Sequence, residues 1–170
     1  MTRLILAATF GANYGIYGPA FELCESQPLK PGSEEYLNSE KYELRSWPID
    51  RPDSLRELIG KVNRIRRDNP ALQSDANIEF HPVENDAGRL ICYSKRTDDF
   101  SNRIVVVANL DPRGKQAGMV HLRLDALGIP ADRPYQMHDL LAGKPYTWQG
   151  SNCYVELAPD QIAAHIFRAT

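Results

Sequence analysis

Two hydrophobic patterns divide the chain near Pro70. Before Pro70, apolar residues form a short run or recur at helical spacing, and after it they alternate with polar residues over short stretches. The run over Thr2–Phe10 is almost entirely apolar and stops at Gly11, which predicts a buried helix. Around Tyr14–Tyr17, aromatic residues alternate with glycine, which predicts a short strand.

A second helix is predicted over Asp53–Asp68. Its apolar residues lie at helical spacing and are Leu55, Leu58, Ile59, Val62 and Ile65. Asp53 or Ser54 can cap its start, and Asn69-Pro70 ends it. Between the predicted strand and this helix, residues 22–51 show neither a helical nor a strand period. We therefore predict a long loop there, and loops of that length are usually functional or disordered linkers.

The second half of the chain predicts an all-β region. Its strand candidates are Ile78–Val83, Arg89–Lys95, Arg103–Leu110, Met119–Leu124, Tyr135–Leu140, Tyr154–Leu157 and Ala163–Phe167. Turn sequences at residues 85–88 and 111–114 separate some of them. Short strands at such regular spacing favour an antiparallel β-sandwich.

Composition narrows the possible function classes. A length of 170 residues allows one domain, or one domain with a substantial fragment of another. The 20 Lys and Arg residues against 22 Asp and Glu residues give a net charge of −2, so we expect no nucleic-acid and no membrane partner. Three widely spaced cysteines indicate neither a disulfide framework nor a metal site, and they favour a reducing, cytoplasmic location.

Candidate chemistry is sparse among the histidines and richer in the long loop. The four histidines, His81, His121, His138 and His165, lie in strand candidates without metal-site spacing, which is more typical of a structural role than of a ligand or catalyst. The loop combines several glutamates with tyrosines and Trp47. Aromatic faces hold the C–H surface of a sugar and charged groups bind its hydroxyls, so carbohydrate binding is a candidate function.

Three stretches of the first half resemble a known family. They are NYGIYGPAFEL (13–23), GSEEYLNSEKYELRSW (32–47) and DRPDSLRELIGKVNRIRRDNPAL (50–72). They are similar to the last part of the bacterial α-1,4-glucan:maltose-1-phosphate maltosyltransferases, the GlgE type of the α-amylase superfamily (glycoside hydrolase family 13). The tail, DLLAGKPYTWQG (139–150) with YVELAPDQIAAHIFRA (154–169), is similar to the C-terminal β-sandwich of amylase-type enzymes.

This resemblance implies a mixed fold with two domains. Residues 1–72 would be the closing segment of a (β/α)₈ barrel, with a helix, the eighth strand, a long active-site loop and the eighth helix. Residues 73–170 would be the all-β C-terminal sandwich domain. Because the active sites of such barrels are built from loops that follow the strands, the long loop would belong to an active site.

The resemblance also implies a function for the parent enzyme. That enzyme would transfer maltosyl from α-maltose 1-phosphate to the non-reducing end of α-1,4-glucans by a retaining mechanism. Lys41 and Tyr42 would bind the maltosyl donor. We expect no catalytic residue in this chain, because the family's three catalytic carboxylates lie on earlier barrel strands. No cofactor and no metal are implied, and the expected partners are α-glucan, the remainder of the barrel and a second copy of the chain.

Three alternatives remain open from the sequence. The chain could be a stand-alone α-glucan-binding or accessory module. It could be the C-terminal part of another hydrolase of the α-amylase family. It could also be a structural module whose role is to pack against a barrel.

Overall fold

The computed structural model describes residues 1–37, 39 and 44–170. These residues form two compact units. The larger unit comprises Met1–Tyr14 together with Val62–Thr170, and the smaller unit comprises Gly15–Lys61. The chain therefore leaves the larger unit after Tyr14 and returns to it at Val62.

Helices precede strands along the chain. The helices are α1 (Thr2–Phe10), α2 (Gly18–Glu22) and α3 (Arg56–Asp68), and a short 3₁₀ turn covers Pro70–Gln73. The strands are β1 (Ile78–His81), β2 (Val83–Glu84), β3 (Leu90–Arg96), β4 (Arg103–Asn109), β5 (Gln116–His121), β6 (Tyr135–Asp139), β7 (Lys144–Trp148), β8 (Asn152–Leu157) and β9 (Ala164–Ala169).

The strands form two antiparallel sheets. One sheet has six strands in the order β1-β3-β4-β9-β6-β7, and the other has three in the order β2-β5-β8. Alternate side chains of both sheets meet in one apolar core, which includes Val105 and Val107 from β4 and Val155 and Leu157 from β8. The architecture is β-rich and antiparallel, and it fits the predicted sandwich.

Strand β4 is buried on both faces. Its residues Val105 and Val107 point into the core between the sheets, whereas the alternate residues Ile104 and Val106 are equally buried on the opposite face. Helix α1 lies against β4. It buries Leu4, Ile5, Ala8 and Thr9, which explains the nearly unbroken apolar sequence of both elements.

The C-terminal end of α1 is held by the side chain of Arg66, from the last turn of α3. The Arg66 guanidinium donates hydrogen bonds to the carbonyls of Ala8, Gly11 and Ala12, and to the carbonyl of Leu72. The last carbonyls of a helix have no partner within the helix. One side chain of α3 therefore binds backbone acceptors at the end of α1 and at the 3₁₀ turn.

A second cation, Lys95 of the six-stranded sheet, also binds the C-terminal end of α1. The Lys95 ammonium of β3 donates to the Phe10 carbonyl at 3.0 Å and lies 3.8 Å from the Asp75 carboxylate. Its side chain is 1% exposed, and burial lowers the pKa of Lys95. Asp75 also accepts a hydrogen bond from the backbone N–H of Ala12. The neighbouring Thr9 hydroxyl bonds the Tyr93 hydroxyl at 2.6 Å, so α1 is joined to β3 by polar contacts as well as by packing.

The helical predictions were largely correct, and the first predicted strand was wrong. Helix α1 has its predicted bounds, and α3 ends at Asp68 as predicted but begins at Arg56, three residues after the predicted start at Asp53. Residues 13–17 form no strand, and the short helix α2 follows them. A strand requires a hydrogen-bonded neighbour, and no described strand pairs with residues 13–17. The local alternation of aromatic residues and glycine was therefore insufficient to predict a strand.

One predicted strand is divided at a proline, and one strand that contains a proline was not predicted. The predicted strand Ile78–Val83 is divided at Pro82 into β1, which pairs with the six-stranded sheet, and β2, which pairs with the three-stranded sheet. Strand β7 was not predicted, because Pro145 and the exposed Lys144–Thr147 stretch lack apolar alternation. The position of each proline in the sheets explains both departures. Pro82 lacks the N–H that a continuous strand would need, and it lies where the chain passes from one sheet to the other. Pro145 lies in β7, which is an edge strand, where proline is tolerated.

We expect Arg66→Met to destabilise the larger unit. The substitution keeps an apolar stem but removes the donors to four carbonyls, which should lower the free energy of unfolding by about 2–4 kcal/mol. For a chain of this size the corresponding fall in Tm is about 5–15 °C, measured by calorimetry or circular dichroism. Arg67→Met is the matched control. Arg67 is exposed and pairs with Asp68 at the surface, so its loss should cost less than about 0.5 kcal/mol. Equal Tm values for the two variants would contradict the role given to Arg66.

Candidate functional site

The sequence places the candidate sugar site in the long loop of the smaller unit. The two predicted donor-binding residues, Lys41 and Tyr42, lie outside the described residues. Their role stays a prediction. The described residues on both sides of them show how the loop is held.

The segment before Lys41 folds back on itself. An antiparallel bridge joins Pro28 to Tyr36, and the flanking backbone hydrogen bonds run from Leu29 N–H to the Glu35 carbonyl and from Leu37 N–H to the Gln27 carbonyl. The Ser39 hydroxyl donates to the Glu35 carboxylate at 2.8 Å. The Tyr36 ring meets the Tyr17 ring edge-on, with 6.0 Å between their centroids. This part of the loop is therefore ordered by its own hydrogen bonds.

The segment after Tyr42 carries a stacked cation. The Arg45 guanidinium lies 4.0 Å from the centroid of the Trp47 ring, and it pairs with the Glu25 carboxylate at 3.7 Å. Cation–π contact and ion pairing together fix a planar charged group on an aromatic face. The aromatic side chains of Tyr36 and Trp47 therefore flank the predicted donor-binding pair in sequence, one on each side.

The two ends of the loop are joined at Glu22. The Glu22 carbonyl accepts a hydrogen bond from Leu55 N–H at 2.8 Å, and its carboxylate accepts one from the Ser54 hydroxyl at 3.1 Å. The same hydroxyl oxygen accepts a hydrogen bond from Arg56 N–H at the start of α3. The N-cap position is held by Leu55, whose carbonyl accepts a hydrogen bond from Ile59 N–H, so the predicted caps Asp53 and Ser54 both lie before this position. The Ser54 hydroxyl nevertheless satisfies one free N–H at the start of α3 and joins it to Glu22. The sequence contained the serine but gave no indication that Glu22 would be its partner.

His81 occupies a buried structural position. Its Nδ1 accepts a hydrogen bond from Arg123 N–H, so the ring proton is on Nε2, which donates to the Ser94 hydroxyl at 2.8 Å. The ring is 4% exposed, and burial, together with the nearby Arg123 charge, lowers the pKa of His81 to about 4. His81 is therefore neutral at physiological pH and links β1 to β3.

His165 and Asp139 form a buried pair that sequence analysis missed. His165 Nδ1 lies 2.7 Å from the Asp139 carboxylate, which also accepts a hydrogen bond from Leu141 N–H. The two residues are 8% and 1% exposed, and they join β9 to β6. No pattern of spacing could reveal this pair, because 26 residues separate its members. A His–Asp contact can support acid–base chemistry. Here the contact lies between two strands, and the Asp139 carboxylate also bonds the backbone N–H of the turn that follows β6, which indicates a structural role.

The described residues offer neither a cluster of metal ligands nor a membrane-spanning helix. Residues 1–37, 39 and 44–170 contain no cluster of three or more His, Cys, Asp or Glu side chains that could hold a metal ion. Over the same ranges, no helix is both long enough and apolar enough to cross a bilayer.

The fold resembles that of an amylase-type enzyme. A crystal structure of an Anoxybacillus α-amylase superposes on 74% of this chain with a TM-score of 0.51 and 13% sequence identity, and the match covers 24% of the amylase. At this identity the match shows the fold alone. The β-rich architecture therefore occurs within α-amylases.

The sequence comparisons then define the family. Residues 80–169 match the family model described as "GLGE, C-terminal", and the chain belongs to this family. Over 170 residues, covering 98% of the chain, it is 47% identical to the α-1,4-glucan:maltose-1-phosphate maltosyltransferase of Chlorobaculum tepidum. The enzymes of the same name from Methylacidiphilum infernorum and Corynebacterium glutamicum are each 44% identical over 98% and 97% of the chain. The chain spans about a quarter of the length of these relatives.

Because the folded pKa of His81 is depressed, stability should fall as the solution is acidified. The unfolded chain binds a proton near pH 6.5 and the folded chain only near pH 4, so the contribution of His81 is complete above pH 6.5 and is lost as pH falls toward 4. We expect His81→Gln to reduce the loss of Tm between pH 7 and pH 5. Ser94→Ala is the control, since it removes the hydroxyl partner but not the titrating group. It should lower Tm at every pH while preserving the slope. An unchanged slope in His81→Gln would exclude this account.

Proposed function

We propose that this chain is the C-terminal part of a maltosyltransferase that transfers maltosyl from α-maltose 1-phosphate to the non-reducing end of α-1,4-glucans. The observation that carries the proposal is the 40–47% identity to enzymes of that name over nearly the whole chain. The similarity extends beyond the β-sheets into the loop of the smaller unit. This extent favours the transferase over another hydrolase of the α-amylase family, because it includes the stretch that contains Lys41 and Tyr42.

The first half of the chain is proposed to be the closing segment of a (β/α)₈ barrel. In that arrangement residues 1–72 supply a helix, the eighth strand, the active-site loop and the eighth helix, and residues 73–170 form the sandwich domain. Helices α1 and α3 and the loop between them support this assignment. Residues 13–17 would become a strand only when neighbouring barrel strands provide hydrogen-bond partners. The remainder of the barrel is therefore the first partner that we propose for this chain.

Exposed aromatic side chains on the larger unit support a further contact. Phe10 and Phe80 are 44% and 49% exposed, and their ring centroids are 5.7 Å apart. Apolar surface of this kind is commonly buried against another chain or domain. We include a homodimer in the proposal on this basis.

Lys41 and Tyr42 are proposed to bind the donor. An ammonium and a phenolic hydroxyl can each donate hydrogen bonds to sugar hydroxyls. The contacts on both sides support this proposal, with the Tyr17–Tyr36 ring pair before the donor-binding pair and the Arg45–Trp47 stack after it, because they supply aromatic and charged groups of the kind that bind sugars. The reacting groups would come from the other part of the enzyme.

The chain alone should have no transferase or hydrolase activity. A retaining glycosyl transfer needs one carboxylate as nucleophile and a second as acid, facing each other across the bond that breaks. We propose that both lie in the preceding part of the enzyme. Incubation of the chain with maltose 1-phosphate and glycogen should release no phosphate above a protein-free control. Activity that survives repurification would disprove this placement of the catalytic groups.

In a chain that includes the complete barrel, Lys41→Ala should lower kcat/KM for maltose 1-phosphate by about 10- to 100-fold. The lost hydrogen bond leaves a sugar hydroxyl without its partner, at a cost of about 1–3 kcal/mol. Binding energy from a remote sugar also orients the reacting centre, so kcat should fall as well as affinity. Tyr42→Phe should have a smaller effect. The control is Glu34→Ala, in the same loop and exposed, which should leave kcat/KM unchanged. Wild-type kinetics in Lys41→Ala would refute its donor-binding role.

A further inference from the structure

The outer face of the three-stranded sheet carries an exposed aromatic ring. Strand β8 alternates between buried and exposed residues, and its outward residues are Asn152, Tyr154 and Glu156. Tyr154 is 62% exposed, and Met119 of β5 lies directly opposite it. Next to Met119, on the other side, is Glu84 of β2. We call the outward residues of β2, β5 and β8 the Tyr154 face.

The Tyr154 ring is held along the strand. Its hydroxyl donates to the Glu156 carboxylate at 3.3 Å, and this acceptor is two positions further along the same strand. Residues two apart on a strand point to the same face. A ring whose hydroxyl is tethered to such a neighbour lies along the sheet rather than standing out from it. One face of the ring is then available for stacking.

Polar groups border the ring on two sides. On one side, the His121 ring lies 3.0 Å from a Glu84 carboxylate oxygen and 2.8 Å from the Asn152 side-chain oxygen. On the other, the Lys115 ammonium pairs with Glu156 at 3.3 Å. The face therefore offers hydrogen-bond donors and acceptors on both sides of one flat apolar surface. The Lys115 ammonium and the Glu156 carboxylate are therefore already paired with each other.

These features match a neutral ligand with many hydroxyls better than they match a protein. The outward apolar side chains of β5 and β8 are those of Ala117, Met119 and Tyr154, as their register requires. That surface is far smaller than the ~800 Å² that each partner buries in a stable protein interface. The face carries the carboxylates of Glu84 and Glu156 and the ammonium of Lys115, so it lacks the large excess of one sign that would attract a charged partner. The C–H face of a pyranose can stack on the tyrosine while its hydroxyls reach the polar border.

We propose that the Tyr154 face binds a stretch of α-1,4-glucan chain. The choice of glucan rests on the proposed function, in which α-1,4-glucan is the acceptor. Tyr154 supplies the stacking surface, and Glu84, Asn152 and Glu156 supply hydrogen-bonding groups for the sugar hydroxyls. The site would hold polymer on the sandwich through contacts that involve no chemical step.

The test measures binding of maltoheptaose and glycogen to the chain in a Lys41→Ala/Tyr42→Ala background, which removes the predicted donor-binding pair. Titration followed by amide NMR should shift signals of β5 and β8, and affinity electrophoresis in glycogen gels should retard the protein.

Tyr154→Ala should weaken both responses about tenfold, whereas Tyr154→Phe should retain most of the binding because the ring remains. Tyr146→Ala is the control, since Tyr146 is an exposed tyrosine of β7, on the other sheet. Unchanged thermal unfolding would show that Tyr154→Ala is folded.

Three results would overturn this inference. The first is an absence of shifts on β5 and β8 with either glucan. The second is equal binding by the wild-type and Tyr154→Ala proteins. The third is a concentration-dependent dimer that Tyr154→Ala abolishes, because the face would then bind a second copy. The proposed function is tested separately, by maltosyl transfer in a chain with the complete barrel. Transfer without Tyr154-dependent binding would refute only the surface site, and Tyr154-dependent binding without transfer would refute only the proposed function.

Discussion

The larger unit depends on the burial of β4 on both faces. A strand with Ile104 and Val106 on one side and Val105 and Val107 on the other needs an apolar layer against each side. The three-stranded sheet covers one side, and α1 lies against the other. A β-sandwich with one open face would leave those side chains in water, so the N-terminal helix is part of the same folded unit as the strands that follow much later.

This constraint explains why so many polar groups converge on the end of α1. Packing alone does not satisfy the carbonyls at a helix terminus, and those of α1 face Arg66 and Lys95 instead of water. The attachment connects α3, β3 and α1. Under the proposed function, these contacts would join the closing barrel helices to the sandwich, so that the loop between the helices begins and ends on a framework stabilised by the sheets.

Sequence patterns predicted the helices and strands that are determined by residues close to them in the chain. The apolar run of α1, the spacing within α3 and the alternation in β6 and β8 each indicate which face is buried, and the predicted bounds were within three residues of those observed. The strand predicted over Met119–Leu124 was displaced by three residues from β5. Elements that depend on distant partners were missed or wrong. Strand β7 was not predicted because it contains Pro145, and the strand predicted near Tyr14–Tyr17 has no described strand to pair with. The positive last turn of α3 was visible in sequence, but not that Arg66 would bind carbonyls more than fifty residues away.

The smaller unit is inserted in the chain between Tyr14 and Val62, which both belong to the larger unit. The Tyr14 hydroxyl donates a hydrogen bond to the side chain of Asn63. The two chain segments that border the insertion are therefore tied together within the larger unit. Loop-closure entropy grows slowly with length, by about 0.6 kcal/mol for each doubling. A change in the length of the segment between Tyr14 and the start of α3 should therefore cost the larger unit little free energy of folding.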